Sequence, residues 1–314
     1  MSIRLSVIMP VHGGARHLGA TLASAAAEAP GPEVEFRLYN SLDDGGAARA
    51  VADGFAGRLN IVWCDRFDLV PWTAKTNLGV AEARGAWVAM LHQDDLWLPG
   101  HLAALDTAMR DYPDVAFSTG PSRFVDARGA AVGDWRLPFA AGRVAARAAS
   151  LSLLVQNAIA IPSPLIRRSA WAAAGGMDEA LWYTADWDLY LKLLAHGDMA
   201  VRPMATTAFR LHGGSLTMQG RHQAGAMEQQ HAAVLARHLP LLAPVPPAVE
   251  QRARASAALN CALAGASAGR LRALAGALLR LAALGPLGMA HYRRESRIAE
   301  RVWPRLRLAL AGGM

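Results

Sequence analysis

Two adjacent carboxylates, Asp94 and Asp95, follow an uninterrupted apolar run, Trp87-Val88-Ala89-Met90-Leu91, with only His92 and Gln93 between. An apolar run without alternation is the pattern of a strand buried on both faces of a parallel sheet. Open α/β sheets gather their ligands at the carboxyl ends of such strands. Neighbouring anions repel each other and are costly to desolvate, so the pair calls for positive charge close by. A divalent cation with oxygen ligands, its shell completed by phosphates, meets that demand. The alternative is that both residues cap the following loop.

The elements that must position this pair alternate between strand and helix. Strands are predicted over 5–9, 34–39, 59–63 and 87–91, and helices over 15–29, 47–55 and 73–84, the last stopped by Gly85. That order implies βαβ units and a parallel sheet with right-handed crossovers. Past Pro99 the pattern predicts a helix over 101–112, a strand over 115–119, a hairpin at 124–129 and helices over 144–155 and 186–196. The last hundred residues read as helical, interrupted at Pro240, Pro246–Pro247, Pro286 and Pro304. No internal repeat is visible.

Composition narrows the class. The 314 residues suffice for one large domain or two modest ones, with no long polar tract of the kind that stays disordered. Cys64 and Cys261 lie far apart, which excludes a disulfide scaffold and fits a reducing cytoplasm. Residues 1–10 lead straight into a strand without a basic n-region or a small-residue cleavage site. The charge-free stretch 255–269 is too short to span a bilayer.

The net charge of +7 is unevenly spread: residues 251–314 hold eleven arginines against Glu295 and Glu300, leaving the rest of the chain at −2. Leu271, Leu274, Leu278 and Leu281 recur at helical spacing among those arginines. Two readings stand for this tail. It is a basic amphipathic element for an anionic membrane surface, or it packs its leucines on the core and solvates its arginines.

Five separated pieces together resemble the family-2 glycosyltransferases with the GT-A fold. They are Ser6-Val7-Ile8-Met9-Pro10-Val11, Thr76-Asn77-Leu78-Gly79-Val80-Ala81-Glu82-Ala83-Arg84-Gly85, Leu91-His92-Gln93-Asp94-Asp95, Gly175-Gly176-Met177-Asp178-Glu179 and Ala185-Asp186-Trp187-Asp188-Leu189-Tyr190-Leu191-Lys192-Leu193. They cover roughly residues 4–215 in the family's order. The resemblance implies a mixed, mainly parallel GT-A sheet with helices on both faces over residues 1–220, and a helical basic extension over 221–314. It also implies inverting transfer of a sugar from a nucleotide-diphosphate donor to a glycan or lipid-linked acceptor. A bacterial cell-surface polysaccharide or glycolipid pathway is the expected context, in the cytoplasm or on the inner membrane face.

Carried over residue by residue, the resemblance puts Asp186 as catalytic base and Asp94 and His212 at the metal, Mn²⁺ or Mg²⁺. It puts Pro10, Val11, Asn40, Asp43, Lys75, Asn77, His92, Gln93, Asp95 and Arg210 around the donor. The family's D-x-D falls on His92-Gln93-Asp94, so histidine replaces the first acid. Imidazole can ligate Mn²⁺ but suits Mg²⁺ poorly; alternatively His92 donates to a phosphate or sugar oxygen. The acidic pair expected after the second strand reads Asn40-Ser41, where Asn40 offers both donor and acceptor to a base edge, and Asp43 and Asp44 equally suit a turn and a helix N-cap. Lys75 either supplies the charge that relatives place at Thr76 or is a solvated lysine. His212 is expected at the metal or the diphosphate, and Arg210 near the leaving group. Ala185 stands where relatives carry Glu, while Asp188 is expected to be structural.

Rival readings are a non-catalytic relative that binds nucleotide or glycan, and a nucleotidyltransferase, for which Val11-His12-Gly13-Gly14-Ala15-Arg16 gives a faint phosphate loop. Binding of nucleic acid through the tail is disfavoured because aromatic interleaving is missing.

Overall fold

The structure is a computed structural model that describes residues 2–214, 224–266 and 271–310. The N-terminal half builds β1 (Leu5–Val11), α1 (Ala15–Ala27), β2 (Val34–Asn40), α2 (Ala47–Asp53), β3 (Asn60–Asp65), α3 (Trp72–Glu82) and β4 (Trp87–Met90). β5 (Leu96–Trp97), α4 (His101–Asp111), β6 (Phe117–Thr119), β7 (Ser122–Val125), β8 (Ala131–Trp135), β9 (Gly142–Val144) and α5 (Ala146–Val155) follow. Then come β10 (Leu165–Arg167), α6 (Arg168–Ala173), α7 (Ala185–Leu193), β11 (Met199–Val201) and β12 (Thr207–Arg210).

The main sheet runs β3-β2-β1-β4-β10-β6-β11-β9. β3, β2, β1 and β4 are parallel, whereas β10 enters antiparallel between β4 and β6. β1 and β2 are buried along their whole length; β1 is apolar but for Ser6, whereas β2 buries Glu35 and Arg37 among its apolar residues. Helices cover both faces. Leu18, Leu22 and Leu105 of α1 and α4 pack on one side, and Val80, Leu153 and Leu189 of α3, α5 and α7 on the other. A second sheet, β5-β12-β7-β8, carries the 124–129 hairpin expected from sequence.

The long elements lie within a few residues of their predicted positions. The short strands β5, β9, β10, β11 and β12 have no periodic signal, because two to four residues cannot display one.

Beyond residue 223 the described chain forms α8 (Ala224–Leu241), α9 (Pro247–Ala266), α10 (Leu271–Ala282), α11 (Gly285–Ser296) and α12 (Ile298–Leu310). The expected interruption at Pro304 does not occur, since α12 runs through it; α8 ends at Leu241, one residue past Pro240, and Pro247 and Pro286 sit at helix starts, where a missing N–H costs nothing. The expected boundary at 220/221 lies outside the described residues. On its far side the helices share the core of the sheet domain: Val234, Leu235 and Ala253 join Leu153, Trp187 and Leu189 in one cluster. Buried Asp188 accepts hydrogen bonds from Arg237 and His238 of α8, both at 2.8 Å, and pairs with Lys192. α12 returns to the second sheet, where a Cβ on Gly133 would stand 2.6 Å from Pro304.

Gly85 is held for a similar reason. A Cβ there would lie 2.8–2.9 Å from backbone atoms of Leu5, Ser6 and Trp87, and its N–H donates to Ser6 Oγ, which itself donates to buried Glu35. Gly85→Ala should therefore destabilise the fold by about 1–3 kcal/mol, the usual cost of overpacking, measured by denaturant unfolding. Unchanged stability would mean that the β4 entry loop shifts freely.

Candidate active site

β4 delivers His92, Asp94 and Asp95 to the end of the sheet, and one ligand atom from each lies within 4.8 Å of the others. The two carboxylates are not equivalent. Asp95 is buried; its Oδ1 accepts the Arg210 backbone N–H at 3.0 Å, while its Oδ2 has no partner. Burial, reinforced by the neighbouring Asp94 charge, raises Asp95 well above the ordinary carboxylate range. Burial also opposes ionisation of Asp94, but the hydrogen bond from His212 and the nearby His92 outweigh it and hold Asp94 low. His212 Nε2 stands 2.8 Å from Asp94 Oδ2. The Nε2 of His92 is likewise buried without a partner, and burial lowers this imidazole against the pull of Asp94.

Two orphaned buried ligand atoms flanking an ionised carboxylate fit a divalent cation with a nitrogen and oxygen shell. His212 lies against this group as the partner of Asp94, outside the three that cluster most tightly.

Asp94 and His212 border a cleft of about 440 Å³ whose rim includes His12, Gly13, Arg16 and His17. Arg16 is exposed in the first turn of α1, and the His17 ring lies 4.8 Å from that of His212. Burial, with Arg210 and His212 nearby, lowers His17. These cationic and polar groups would suit an anionic ligand; Arg16 ends the loop named above for the nucleotidyltransferase reading, and His17 was not singled out from the sequence. Its only sequence signal is its place just after the β1 loop.

Several expected donor contacts turn out to be engaged within the protein. Asn40 exchanges hydrogen bonds with Leu42 (2.8 and 3.2 Å) and donates to Asp65 at 3.2 Å, so its amide shapes the loop rather than facing a base. Asp43 accepts from Gly45 N and Asp44 from Ala48 N, the turn and cap arrangement. Asn77 is bound to both backbone groups of Met177 and to Glu179, fastening α3 to the Gly175–Asp178 turn.

Gln93 pairs with both the N–H and the C=O of His12, fixing the β1 loop to β4. Arg210 turns its guanidinium onto the carbonyls of Asp94, Asp126 and Ala127, where it clamps loops. Lys75 is not a solvated lysine. It is buried beneath the strand ends, donating to Val11 O at 2.8 Å and Ser41 Oγ at 2.6 Å, and burial lowers it to about 8. Pro10 and Val11 are buried in β1, and Val11 enters this network only through its carbonyl.

Asp186 opens α7 away from these residues. Its Oδ2 accepts from Asn157 Nδ2 at 2.9 Å and its Oδ1 from the Trp187 N–H at 2.8 Å. Burial raises it to about 6, moderated by those hydrogen bonds. Trp72 bridges toward β4: its ring packs edge-on against His92 at 5.2 Å, and its Nε1 donates to the carbonyl of Trp182, just before α7.

Residues 6–144 match the family model for Glycosyl transferase family 2. The chain is similar to the succinoglycan biosynthesis protein ExoU of Rhizobium meliloti (strain 1021), at 29% identity over 213 residues. That match covers 61% of this chain and only 57% of the relative's length.

Among solved structures it is similar to S. aureus TarS 1–349 in complex with UDP-GlcNAc, with a TM-score of 0.59, 13% identity, and 94% and 93% of the two chains covered. It is also similar to the mannosyltransferase PcManGT from Pyrobaculum calidifontis in complex with GDP-Man and Mn²⁺, with a TM-score of 0.60, 17% identity, and 100% and 86% covered. The shared fold is the GT-A type expected from the sequence motifs.

Asp94→Ala removes the one carboxylate of the group that is ionised and faces the cleft. It should abolish Mn²⁺ binding, measured by calorimetry, while leaving the unfolding midpoint near that of the parent. Mn²⁺ binding that survives unchanged would exclude Asp94 as a ligand.

Proposed function

We propose that this chain is an inverting glycosyltransferase that moves a sugar from a nucleoside-diphosphate donor to an acceptor hydroxyl in polysaccharide or glycolipid synthesis. The observation that carries the reading is the pairing of two unlike acidic centres. One is the ionised Asp94 in the His92/Asp95 group at a basic-rimmed cleft. The other is the lone Asp186, raised to about 6 and held by Asn157. The family match supports the activity, and the likeness to ExoU, a succinoglycan biosynthesis protein, and to TarS and PcManGT, solved with UDP-GlcNAc and with GDP-Man and Mn²⁺, supports a nucleotide-sugar donor and a polysaccharide product.

In this reading the donor diphosphate lies in the cleft beside Arg16, His17 and His212. A divalent cation held by His92, Asp94 and Asp95 would neutralise charge on the departing diphosphate. Asp186 accepts the acceptor hydroxyl proton as that oxygen attacks the anomeric carbon in line. The new glycosidic bond forms as the carbon–phosphate oxygen bond breaks, and attack from the opposite face inverts the centre. Trp72, touching both His92 and the chain before α7, sets the separation of donor and acceptor.

A carboxylate serves as base only when ionised, so turnover should fall as pH drops through about 6 and level off above it. Asp186→Asn should cut kcat by ~10²–10⁴-fold, the range for lost general-base catalysis, with donor affinity nearly unchanged. Donors are found by thermal shift against UDP- and GDP-sugars with Mn²⁺ or EDTA, since binding raises apparent stability by mass action. Near-normal kcat in the variant would refute the base assignment, and lost donor affinity would move Asp186 to the donor side.

A peripheral position on an anionic membrane face belongs to the same proposal. Among the described residues no single helix is long and apolar enough to cross a membrane. α10 and α11 nevertheless expose Leu278, Leu279 (72%) and Leu287 (81%) beside the exposed Arg272, Arg280, Arg293 and Arg294. The leucine stripe is divided: Leu281 is buried and Leu274 half-buried, whereas Leu278 is exposed, and the side chain of Leu271 lies outside the described residues. Each surface arginine adds about 1 kcal/mol near anionic lipid, less as salt screens it. Liposome flotation should therefore require anionic lipid, weaken with salt and be lost in Leu279→Ser/Leu287→Ser. Equal recovery on neutral vesicles, or no flotation at all, would contradict a charged lipid surface.

A further inference from the structure

Asn157 stands between Asp186 and the C-terminal extension. Its Nδ2 donates to Asp186 Oδ2 at 2.9 Å, its Oδ1 accepts from Ile159 N at 3.2 Å, and its carbonyl accepts from the Arg301 guanidinium at 2.6 Å. Neighbouring Gln156 is gripped as well: its Oε1 accepts from Ser256 Oγ and Asn260 Nδ2 of α9, both at 2.8 Å. Residues 156–160 have no regular secondary structure, so the extension supplies the restraint that a strand or helix would otherwise give.

Arg301 is itself held without a carboxylate partner. Its guanidinium lies 5.0 Å from the centre of the Trp135 ring, and Arg305 donates to its carbonyl at 2.6 Å. Pro304, one turn on, seats α12 against Gly133. Among the described residues no acid forms an ion pair with Arg301. A half-buried cation fixed by an aromatic face and the backbone carbonyl of Asn157, the residue whose amide holds Asp186, is poorly explained as a surface arginine.

We propose that Arg301 is a positioning residue for Asp186, acting through Asn157, so that the C-terminal extension completes the acceptor side of the active site. The inference rests on the reading of Asp186 as base. The groups facing Asp186 are the Asn157 amide, the Trp187 N–H of its own helix, Tyr183 from the preceding loop, Tyr190 one turn on and Arg301 from α12. Arg305 acts on Tyr183 and on Arg301 rather than on the acid. Arg301 is the cation in that set, and it favours the ionised acid against burial.

The test is an NMR titration of the full chain labelled with ¹³C at aspartate carboxyls, the Asp186 signal being identified by its loss in Asp186→Asn. The parent midpoint is expected near 6. Arg301→Gln should raise it by about one pH unit, within the range for a nearby opposite charge, and Arg301→Lys should restore most of the difference. Asn157→Ala, which leaves α12 untouched, should raise it too and serves if Arg301→Gln does not fold.

The acid limb of turnover, followed with UDP-GlcNAc and GDP-Man as donor probes, should move with the midpoint. An unmoved midpoint in folded Arg301→Gln would overturn the proposal, and so would an unmoved midpoint in Asn157→Ala, through which Arg301 is held to act. Unchanged turnover in Asp186→Asn would instead overturn the base reading, while the titration still reports the coupling between Arg301 and Asp186.

Discussion

The arrangement depends on the reciprocal bonding between Asp94-Asp95 and Arg210. Asp95 accepts the Arg210 N–H, and Arg210 returns its guanidinium to the Asp94 carbonyl and to the 126–127 turn. One buried acid thereby locks the end of β4 in the main sheet to β12 in the second sheet and to the β7–β8 hairpin. Two residues past Arg210, His212 arrives at Asp94 as a direct result. Asp95, 1% exposed and with an oxygen left unpaired, is costly in isolation. It is tolerable where a cation completes its environment or where it carries a proton.

The same lock explains how two adjacent acids come to differ. Asp95 is sealed under Arg210 and pushed up by burial and by its neighbour, whereas Asp94 reaches the cleft and keeps its charge through His212 and His92. Asp186 is a third case, raised by burial but moderated by Asn157 and Arg301. Environments that drive like groups apart are how a site assigns one acid to a cation and another to a proton.

Much of the main sheet was legible because buried parallel strands and amphipathic helices are written as long periodic runs. In the candidate site the sequence placed Asp94 at a strand end and Asp186 at a helix start, and both stand there in the fold. Asn40, Asn77 and Arg210, expected at the donor, are engaged within the protein for a common physical reason. Their side chains have the donors a ligand would want, yet in each case nearby backbone carbonyls or acids satisfy them first. Lys75 is a different case, because nothing local reveals that α3 presses it under β1 and β2. Asn157 and Arg301 were illegible, since 144 residues separate two groups that meet only in the fold. The arginine-rich tail was half legible: Arg252 is locked to Glu295 and Arg301 to the Asn157 carbonyl, while Arg272, Arg280, Arg293 and Arg294 face outward.

The most direct test of the central claim, that the end of β4 is a cation site, is anomalous diffraction from crystals of the full chain soaked with Mn²⁺ and either UDP or GDP. The account predicts a manganese peak bounded by His92, Asp94 and Asp95, which disappears in Asp94→Ala crystals. A fully occupied peak elsewhere, or nucleotide bound in the cleft with no manganese beside Asp94, would contradict it.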